Sequence, residues 1–159
     1  MIGREDKKTN DLFFTCSLIE YMARKTKNNS KYIANKLGRE RLEKIYDLAD
    51  VYHCENIDKV SYDFIQDSGI ENGSFDNIIS AKYNVPSHFD IGKIYKRLII
   101  GIAKEKNISI IDALLFAYNS KMSDKINDYN CAFYYDSPQN ILIVFLCDNM
   151  LGNFKQEEE

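Results

Sequence analysis

Apolar residues recur along this chain at the three- and four-residue spacing that places them on one face of a helix. One stripe runs from about Asn10 to Lys27, and a second restarts near Asp90. Both predict long amphipathic helices. The apolar positions of the first are Leu12, Cys16, Ile19 and Ala23, and those of the second are Ile91, Tyr95 (or Ile94), Leu98 and Ile102.

Shorter helices are predicted after each long one, from cap residues and further stripes. Ser30 is a plausible N-cap for a helix that Gly38 ends, and a third helix is expected over about 39–53. Asn56 and Ser109 are good N-caps for two more. The stripes are Leu42, Ile45, Ala49 and Tyr52, then Val60 and Phe64, and later Ile126, Tyr129 and Phe133.

The segment from Ile141 to Cys147 is ambiguous by its local pattern. It is apolar and partly β-branched, so a buried strand and a buried helix both fit it. Ser137 followed by Pro138 is a good helix start. Ile141 and Phe145 also repeat the four-residue spacing of Val60 and Phe64, so the likeness to the earlier segment predicts a buried helix here.

The two halves of the chain resemble each other in the order of their apolar, small and capping positions. Leu18 and Ile19 match Leu98 and Ile99, 80 positions later, and further matches follow at separations of 79 and 81. Such self-similarity is typical of a duplicated unit. The predicted fold is all-α, with two tandem, internally repeated four-helix modules packed together. Their expected bounds are 10–66 and 90–151, with a linker over 67–89.

Composition agrees with helices and narrows the functional classes. Only 7 Gly and 2 Pro occur in 159 residues, which is few for a turn-rich β-fold. The net charge of −3 creates no general attraction to nucleic acid. Four cysteines stand among apolar neighbours without a C-x-x-C pair and are expected to be reduced and buried. The polar N-terminus and short apolar runs favour a cytoplasmic protein without membrane contact.

No catalytic or metal-binding signature is found in the sequence. Cys54 beside His53 is the only cysteine–histidine candidate, but adjacent helical residues point about 100° apart. His88 and Asp90 are weak candidates for metal ligands, because two histidines without a repeated spacing rarely form a site. We therefore expect no enzyme activity, no cofactor and no metal.

Aromatic and acidic residues cluster where each module is expected to end. Asp47, Asp50 and His53 lie in the first cluster, and the matching stretch of the second module offers Asp128, Tyr134 and Tyr135. Tyrosine buries a large area with few rotatable bonds, which makes it a good anchor at protein interfaces. These residues are the predicted contacts for a protein partner. The alternative is that most of the rings fill the core between modules.

A second possible function involves the basic segment 24–44. Lys31, Lys36, Arg39 and Arg41 lie within it, and a helix–turn–helix protein would use such a patch on DNA. A nucleic-acid-binding regulator is therefore the alternative to a protein-binding module. Solvated helix faces would carry the same charges.

The run Leu18-Ile-Glu-Tyr-Met-Ala-Arg-Lys and the stretch from Ile45 to His53 resemble a family of small uncharacterised bacterial helical proteins. Leu98 to Lys106 and Phe133 to Phe145 resemble the same family again. Its members are often encoded beside proteins with an ADP-ribosyltransferase-like fold, as in toxin–antitoxin pairs. The resemblance implies an antitoxin-like partner protein that neutralises such an enzyme, and it supplies no catalytic residues.

Overall fold

A computed structural model of the chain describes residues 7–82 and 84–130. Within those ranges it contains seven helices and no β-strand, so the predicted all-α class is confirmed there. The helices are α1 (Lys7–Thr26), α2 (Ser30–Asp47), α3 (Ala49–Tyr52), α4 (Ile57–Ser68), α5 (His88–Lys106), α6 (Ile110–Tyr118) and α7 (Lys121–Asn127).

The two long helices, α1 and α5, form the centre of the fold and pack more extensively on each other than any other pair. They run antiparallel: Tyr21 contacts His88, whereas Phe13, two turns earlier on α1, lies under the ammonium of Lys96. Their apolar stripes supply most of the core, as the sequence predicted. Its fully buried members include Leu12, Cys16, Ile19, Tyr95, Ile99 and Ile102.

The start of α2 differs from the prediction. Asn29, not Ser30, is the N-cap: its side-chain oxygen accepts a hydrogen bond from the backbone N–H of Tyr32 at 2.9 Å. Ser30 lies inside the helix and donates its hydroxyl proton to the buried Glu20. The backbone of Gly38 is not helical, with a φ of 73° and a ψ of 171°, so α2 consists of two helical segments that meet at a kink. The prediction that Gly38 ends the first of these segments is therefore confirmed.

The predicted third helix is interrupted at Leu48, which leaves α3 as a single turn. Asn56 caps α4 as expected, since its side chain accepts from the N–H of Asp58. Cys16 is buried as expected, but Cys54 is exposed, because it lies in the turn that follows α3. The prediction of a packed Cys54 is therefore wrong.

Ser109 caps α6 as predicted, and α7 follows after a two-residue break. The expected stripe through Ile126 and Tyr129 is wrong in part, because α7 ends at Asn127 and Tyr129 lies in the turn beyond it. Phe133, Cys131, Cys147 and the segment 141–147 lie outside the described residues.

The irregular segment that joins α4 to α5 is fastened to both halves of the described chain. Gly73 donates its N–H to the carbonyl of Thr26 at 2.8 Å, and a Cβ at Gly73 would lie 2.6 Å from the carbonyl oxygen of Lys27. Further along, the Asn77 amide donates to the carbonyl of Asn127 at 2.7 Å. The module bounds and the linker remain predictions.

Among residues 7–82 and 84–130, none of the helices combines the length and apolar character that crossing a bilayer requires.

A candidate docking groove between α1 and α5

An open groove lies between the N-terminal half of α1, the start of α5 and the turn that joins α3 to α4. Its volume is about 520 Å³. Most of its lining is apolar, contributed by Phe13, Phe14, Leu18, Ile57 and Phe89. Pockets of this size with an apolar lining and a few polar groups are the usual binding sites of proteins.

Close contact between the two long helices forms the floor of the groove. Ser17 on α1 faces Gly92 on α5, and a Cβ at Gly92 would lie 3.0 Å from the backbone nitrogen of Ser17. Only glycine permits this approach without a shift of one helix. The Ser17 hydroxyl is buried and has no hydrogen-bond partner among the described residues. This oxygen is therefore enclosed between the two helices.

Aromatic rings form one wall. The rings of Phe13 and Phe89 have centroids 6.1 Å apart and are tilted by 42°, and the His88 ring lies 4.2 Å from that of Phe89. Tyr21 meets the His88 ring edge-on at 5.2 Å. Phe89 is nevertheless 52% exposed. An exposed phenylalanine beside a half-open apolar groove is the kind of feature that marks an interaction site.

Both histidines of the chain line this groove. The pKa of His88 is lowered mainly because burial disfavours the charged imidazolium, and the positive charge of Arg24 lowers it further, while Asp90 acts in the opposite direction. His88 therefore favours its neutral form, which suits an apolar wall. His53 ends α3 on the opposite side, beside Glu55.

The structure brings together three of the predicted partner-binding residues. Asp47 is exposed at the end of α2 and Asp50 is exposed in α3, three residues before His53, which lines the groove. Lys8 and Lys7 on α1 lie opposite them, each with a nitrogen–oxygen distance of 3.9 Å, which is long for an ion pair. The acidic carboxylates thus remain open to another basic group.

The other predicted partner-binding residues are not part of this cluster. Asp128 follows α7 and is exposed, next to Tyr129, whose hydroxyl accepts a hydrogen bond from Arg24 near the C-terminal end of α1. Lys8 and Arg24 are 16 positions apart on α1, or about 24 Å along a helix. Asp128 therefore belongs to a different surface. Tyr134 and Tyr135 lie outside the described residues.

The basic residues of the nucleic-acid alternative are partly neutralised within the chain. Arg39 pairs with Asp112, and Arg41 pairs with Asp67 at 2.8 Å and also donates to the Asp67 carbonyl. Lys31 and Lys36 remain at the surface, with the Lys36 ammonium 5.8 Å from the centre of the Tyr32 ring. Two of the four predicted phosphate contacts are thus already engaged by carboxylates.

The cysteine–histidine candidate lies at the surface, because His53 and Cys54 are both exposed. The Cys54 sulfur lies 3.9 Å from Nδ1 of His53, but the thiol is exposed and donates to the backbone carbonyl of Asp50. Within the described part of the chain, no group of three or more histidine, cysteine or acidic residues is placed to hold a metal ion.

A buried polar cluster on the other side of α1 was not foreseen. Glu20 is 5% exposed, its Oε1 accepts the Ser30 hydroxyl proton at 2.7 Å, and its Oε2 is buried without a hydrogen-bond partner. Burial raises the pKa of Glu20 to about 7, although Ser30, Tyr118 and the charge of Arg24 act against the rise. A small cavity of about 80 Å³ adjoins Glu20 and Arg24. This carboxyl changes charge near neutral pH.

Sequence reasoning missed the aromatic wall of the groove. Phe13, Phe14 and Phe89 fell outside the expected stripes, and His88 was considered only as a metal ligand. The sequence did contain a signal for this wall. Phe13 and Phe89 are apolar residues beside the predicted stripes, and such residues make the apolar face of a helix wider than its core contacts need.

Comparisons of the chain with protein-family models, with curated proteins and with solved structures find no match. The groove and the residues around it are therefore the features of the molecule that indicate a function.

Proposed function

We propose that this protein is a non-enzymatic, cytosolic protein-binding module that acts as an antitoxin-like neutraliser. Its target would be an enzyme with an ADP-ribosyltransferase-like fold, whose active-site cleft it would occlude. The observation that supports this proposal most directly is the open apolar groove between α1 and α5, with Phe89 exposed at its wall. Protein interfaces commonly combine a central aromatic pocket with a polar rim.

The surroundings of the groove extend the surface available to a partner. Leu48 and Val51 are 41% and 52% exposed beside Asp47 and Asp50, at the same end of the bundle as His53. Apolar side chains bordered by carboxylates provide burial together with orientation. This combination favours a protein partner over a small polar substrate.

The duplicated architecture is part of the same proposal, since the resemblance to the helical family covers both halves. Local geometry supports it at one turn. Lys27 and Asn107, 80 positions apart, are the non-glycine residues with positive φ in the described ranges, at 55° and 52°. Each lies between a long helix and a short one. The N–H of the next residue, Asn28 or Ile108, bonds the carbonyl of Ala23 or Ala103.

The direct test purifies the protein encoded beside this chain, mixes the two, and measures both complex formation and inhibition of ADP-ribosyltransferase activity. We expect a stoichiometric complex on gel filtration that survives high salt, together with relief of toxicity on co-expression. Phe89→Ser should weaken the complex. Ile79→Ser, which changes a residue that is 83% exposed and outside the groove, is the matched control. Continued toxicity with no complex would overturn the proposal.

The nucleic-acid alternative makes a different prediction in the same assay. Binding through Lys31 and Lys36 would weaken steeply as salt concentration rises, because phosphate contacts release counterions. Arg39 and Arg41 are already paired with Asp112 and Asp67, so each would have to exchange its partner to contact phosphate. Salt-sensitive retention of nucleic acid, unchanged by Phe89→Ser, would favour this alternative.

A further inference from the structure

Arg24 joins three parts of the chain that are far apart in sequence. From near the C-terminal end of α1, its Nη2 donates to the carbonyl of Pro86 at 2.7 Å and to the hydroxyl of Tyr129 at 2.9 Å. Pro86 lies two residues before α5, and Tyr129 lies beyond α7. Hydrogen bonds from a charged donor are stronger than those between neutral groups. Arg24 therefore fastens the entry of α5 to the end of α1.

A second acceptor for the same guanidinium lies one helical turn away. Glu20 is four positions before Arg24 on α1, the spacing at which a glutamate and a following basic residue pair best on a helix. Oε1 of Glu20 accepts the Ser30 hydroxyl proton, whereas Oε2 is buried and has no hydrogen-bond partner among the described residues. Arg24 thus lies beside a carboxyl group but donates its hydrogen bonds elsewhere.

The space that the guanidinium needs to change partner is present between the two side chains. The cavity of about 80 Å³ is lined by Glu20, Arg24 and Tyr129, and by the segment 75–78 that follows α4. This volume is close to the liquid volume of two or three water molecules, at about 30 Å³ each. A planar guanidinium can therefore enter it while the backbone of α1 stays in place.

Both protonation states of Glu20 occur near neutral pH, because burial raises the pKa of this carboxyl to about 7. α2 contributes the uncharged Ser30 hydroxyl to its surroundings. The titratable and charged groups that face Glu20 or line its cavity come from α1, α6, the segments after α1 and α4, and the turn after α7. They are Cys16, Arg24, Lys27, Asp76, Tyr118 and Tyr129.

Arg24 is the cation of this group that is best placed to neutralise an ionised Glu20. Burial raises the pKa of Cys16 and of Tyr118, so both stay uncharged around neutral pH. The Lys27 ammonium lies 3.9 Å from Oδ2 of Asp76, at the outer side of the cavity. The positive charge of Arg24 already favours the ionised form of Glu20, although less strongly than burial opposes it.

We propose that Arg24 is a two-position switch that the protonation of Glu20 controls. While Glu20 is protonated, the guanidinium holds Pro86 and Tyr129. When Glu20 ionises, the guanidinium turns into the cavity, pairs with the carboxylate and releases both partners. The released segment leads directly into the first turn of α5, which carries Phe89 of the groove wall. The switch therefore loosens one wall of the groove as pH rises through neutrality, and it does not depend on the proposed partner.

Hydrogen exchange of the full-length protein at pH 6 and pH 8, corrected for the intrinsic pH dependence of amide exchange, tests the release. We expect residues 82–90 to exchange about tenfold faster at pH 8, the effect of losing a hydrogen bond from a charged donor. Residues 95–102 in the middle of α5 report general opening and should change less. Equal corrected exchange of residues 82–90 at the two pH values would overturn the proposal.

Two variants should hold the switch in its opposite positions. Glu20→Gln stays uncharged, so residues 82–90 should remain protected at both pH values. Arg24→Gln lacks the guanidinium, so the same residues should exchange fast at both. Lys27→Gln is the matched control, because Lys27 also lines the cavity, and it should respond to pH as the wild type does. A pH response that persists in Glu20→Gln, or that disappears in folded Lys27→Gln, would overturn the proposal.

The imidazole of His88 reports the position of Arg24 by NMR, since the charge of Arg24 acts on this ring. Besides its own titration below pH 6.5, we expect a second, smaller inflection of the His88 proton shifts at about pH 7, where Glu20 ionises. The resonances of His53, on the other side of the groove, should lack it.

The second inflection should disappear in Glu20→Gln and in Arg24→Gln, and circular dichroism verifies the fold of each variant. An inflection that survives in Arg24→Gln would come from the charge of Glu20 alone and would overturn the movement of Arg24. Absence of the second inflection in the wild type would overturn it as well. If Arg24→Gln fails to fold, exchange in Glu20→Gln and Lys27→Gln still decides between Arg24 and Lys27.

Discussion

The hydroxyl of Ser30 donates a hydrogen bond to the Glu20 carboxyl at 2.7 Å, and both residues are at most 5% exposed. This contact joins the first turn of α2 to the middle of α1. It also explains why Ser30, a good cap by residue type, leaves capping to Asn29. A buried acceptor close to its hydroxyl outweighs the local preference.

Stability should fall as pH rises from about 4.5 to 7. The pKa of Glu20 is near 4.5 in the unfolded chain and about 7 in the fold, so only the unfolded chain releases this proton in that interval. Glu20→Gln should therefore be more stable than the wild type at pH 8, by about 3 kcal/mol, and similar at pH 4. Urea unfolding at both pH values measures this difference.

The matched control for Glu20 is Glu40→Gln, which changes an exposed carboxylate on α2. Its unfolding curves should coincide with those of the wild type at both pH values. If Glu20→Gln and the wild type were equally stable at pH 8, the pKa of Glu20 would not be raised in the folded protein.

The limits of prediction from sequence are clear in the same region. The stripe of Leu12, Cys16 and Ile19 identified α1, because packing against a core imposes the helical period. The cap of α2 could not be assigned, since Asn29 and Ser30 are both good caps and the choice depends on Glu20, a tertiary partner. Similarly, Phe13 and Phe89 meet across 76 positions of sequence, a contact that no local pattern encodes.

Asn29→Ala should destabilise the protein by about 1 kcal/mol, because the first turn of α2 loses the side-chain acceptor for the Tyr32 N–H. Ser109→Ala should have a similar cost at the start of α6, where the hydroxyl accepts from Asp112 N–H at 3.2 Å. Lys31→Ala, at an exposed position of α2, is the control. Thermal unfolding that shows no loss for Asn29→Ala would refute its role as the cap.

Gly92→Ala should destabilise the contact between α1 and α5 by about 2 kcal/mol, because the added methyl group would lie within 3.1 Å of the Ser17 backbone. One helix must move away to accommodate it. Lys93→Ala, an exposed neighbour on the same helix, should stay within about 0.5 kcal/mol of the wild type. Chemical denaturation compares the two. Wild-type stability of Gly92→Ala would mean that the helices are farther apart than described.

His88 should titrate below its ordinary pKa of 6.5, and an NMR titration of its imidazole protons tests this directly. Its contribution to stability is complete above pH 6.5 and is lost as pH falls through the lower native pKa, since only the unfolded chain binds the proton between the two values. Arg24→Gln should raise the pKa of His88, because the variant removes a nearby positive charge. Lys25→Gln is the control, because it removes a neighbouring positive charge of α1 that does not act on His88; we expect it to leave the pKa of His88 unchanged. An Arg24→Gln titration identical to that of the wild type would exclude the proposed electrostatic influence.

The close approach of Ser17 and Gly92 also has a consequence for the timing of activity during synthesis. α1 supplies one wall of the groove and α5 the other, so neither wall alone encloses a partner's side chain. The ribosome must release the chain through Phe89 before the groove can form, while α1 to α4 are already available to fold. A nascent chain therefore lacks the complete groove until both long helices have been made and have packed together.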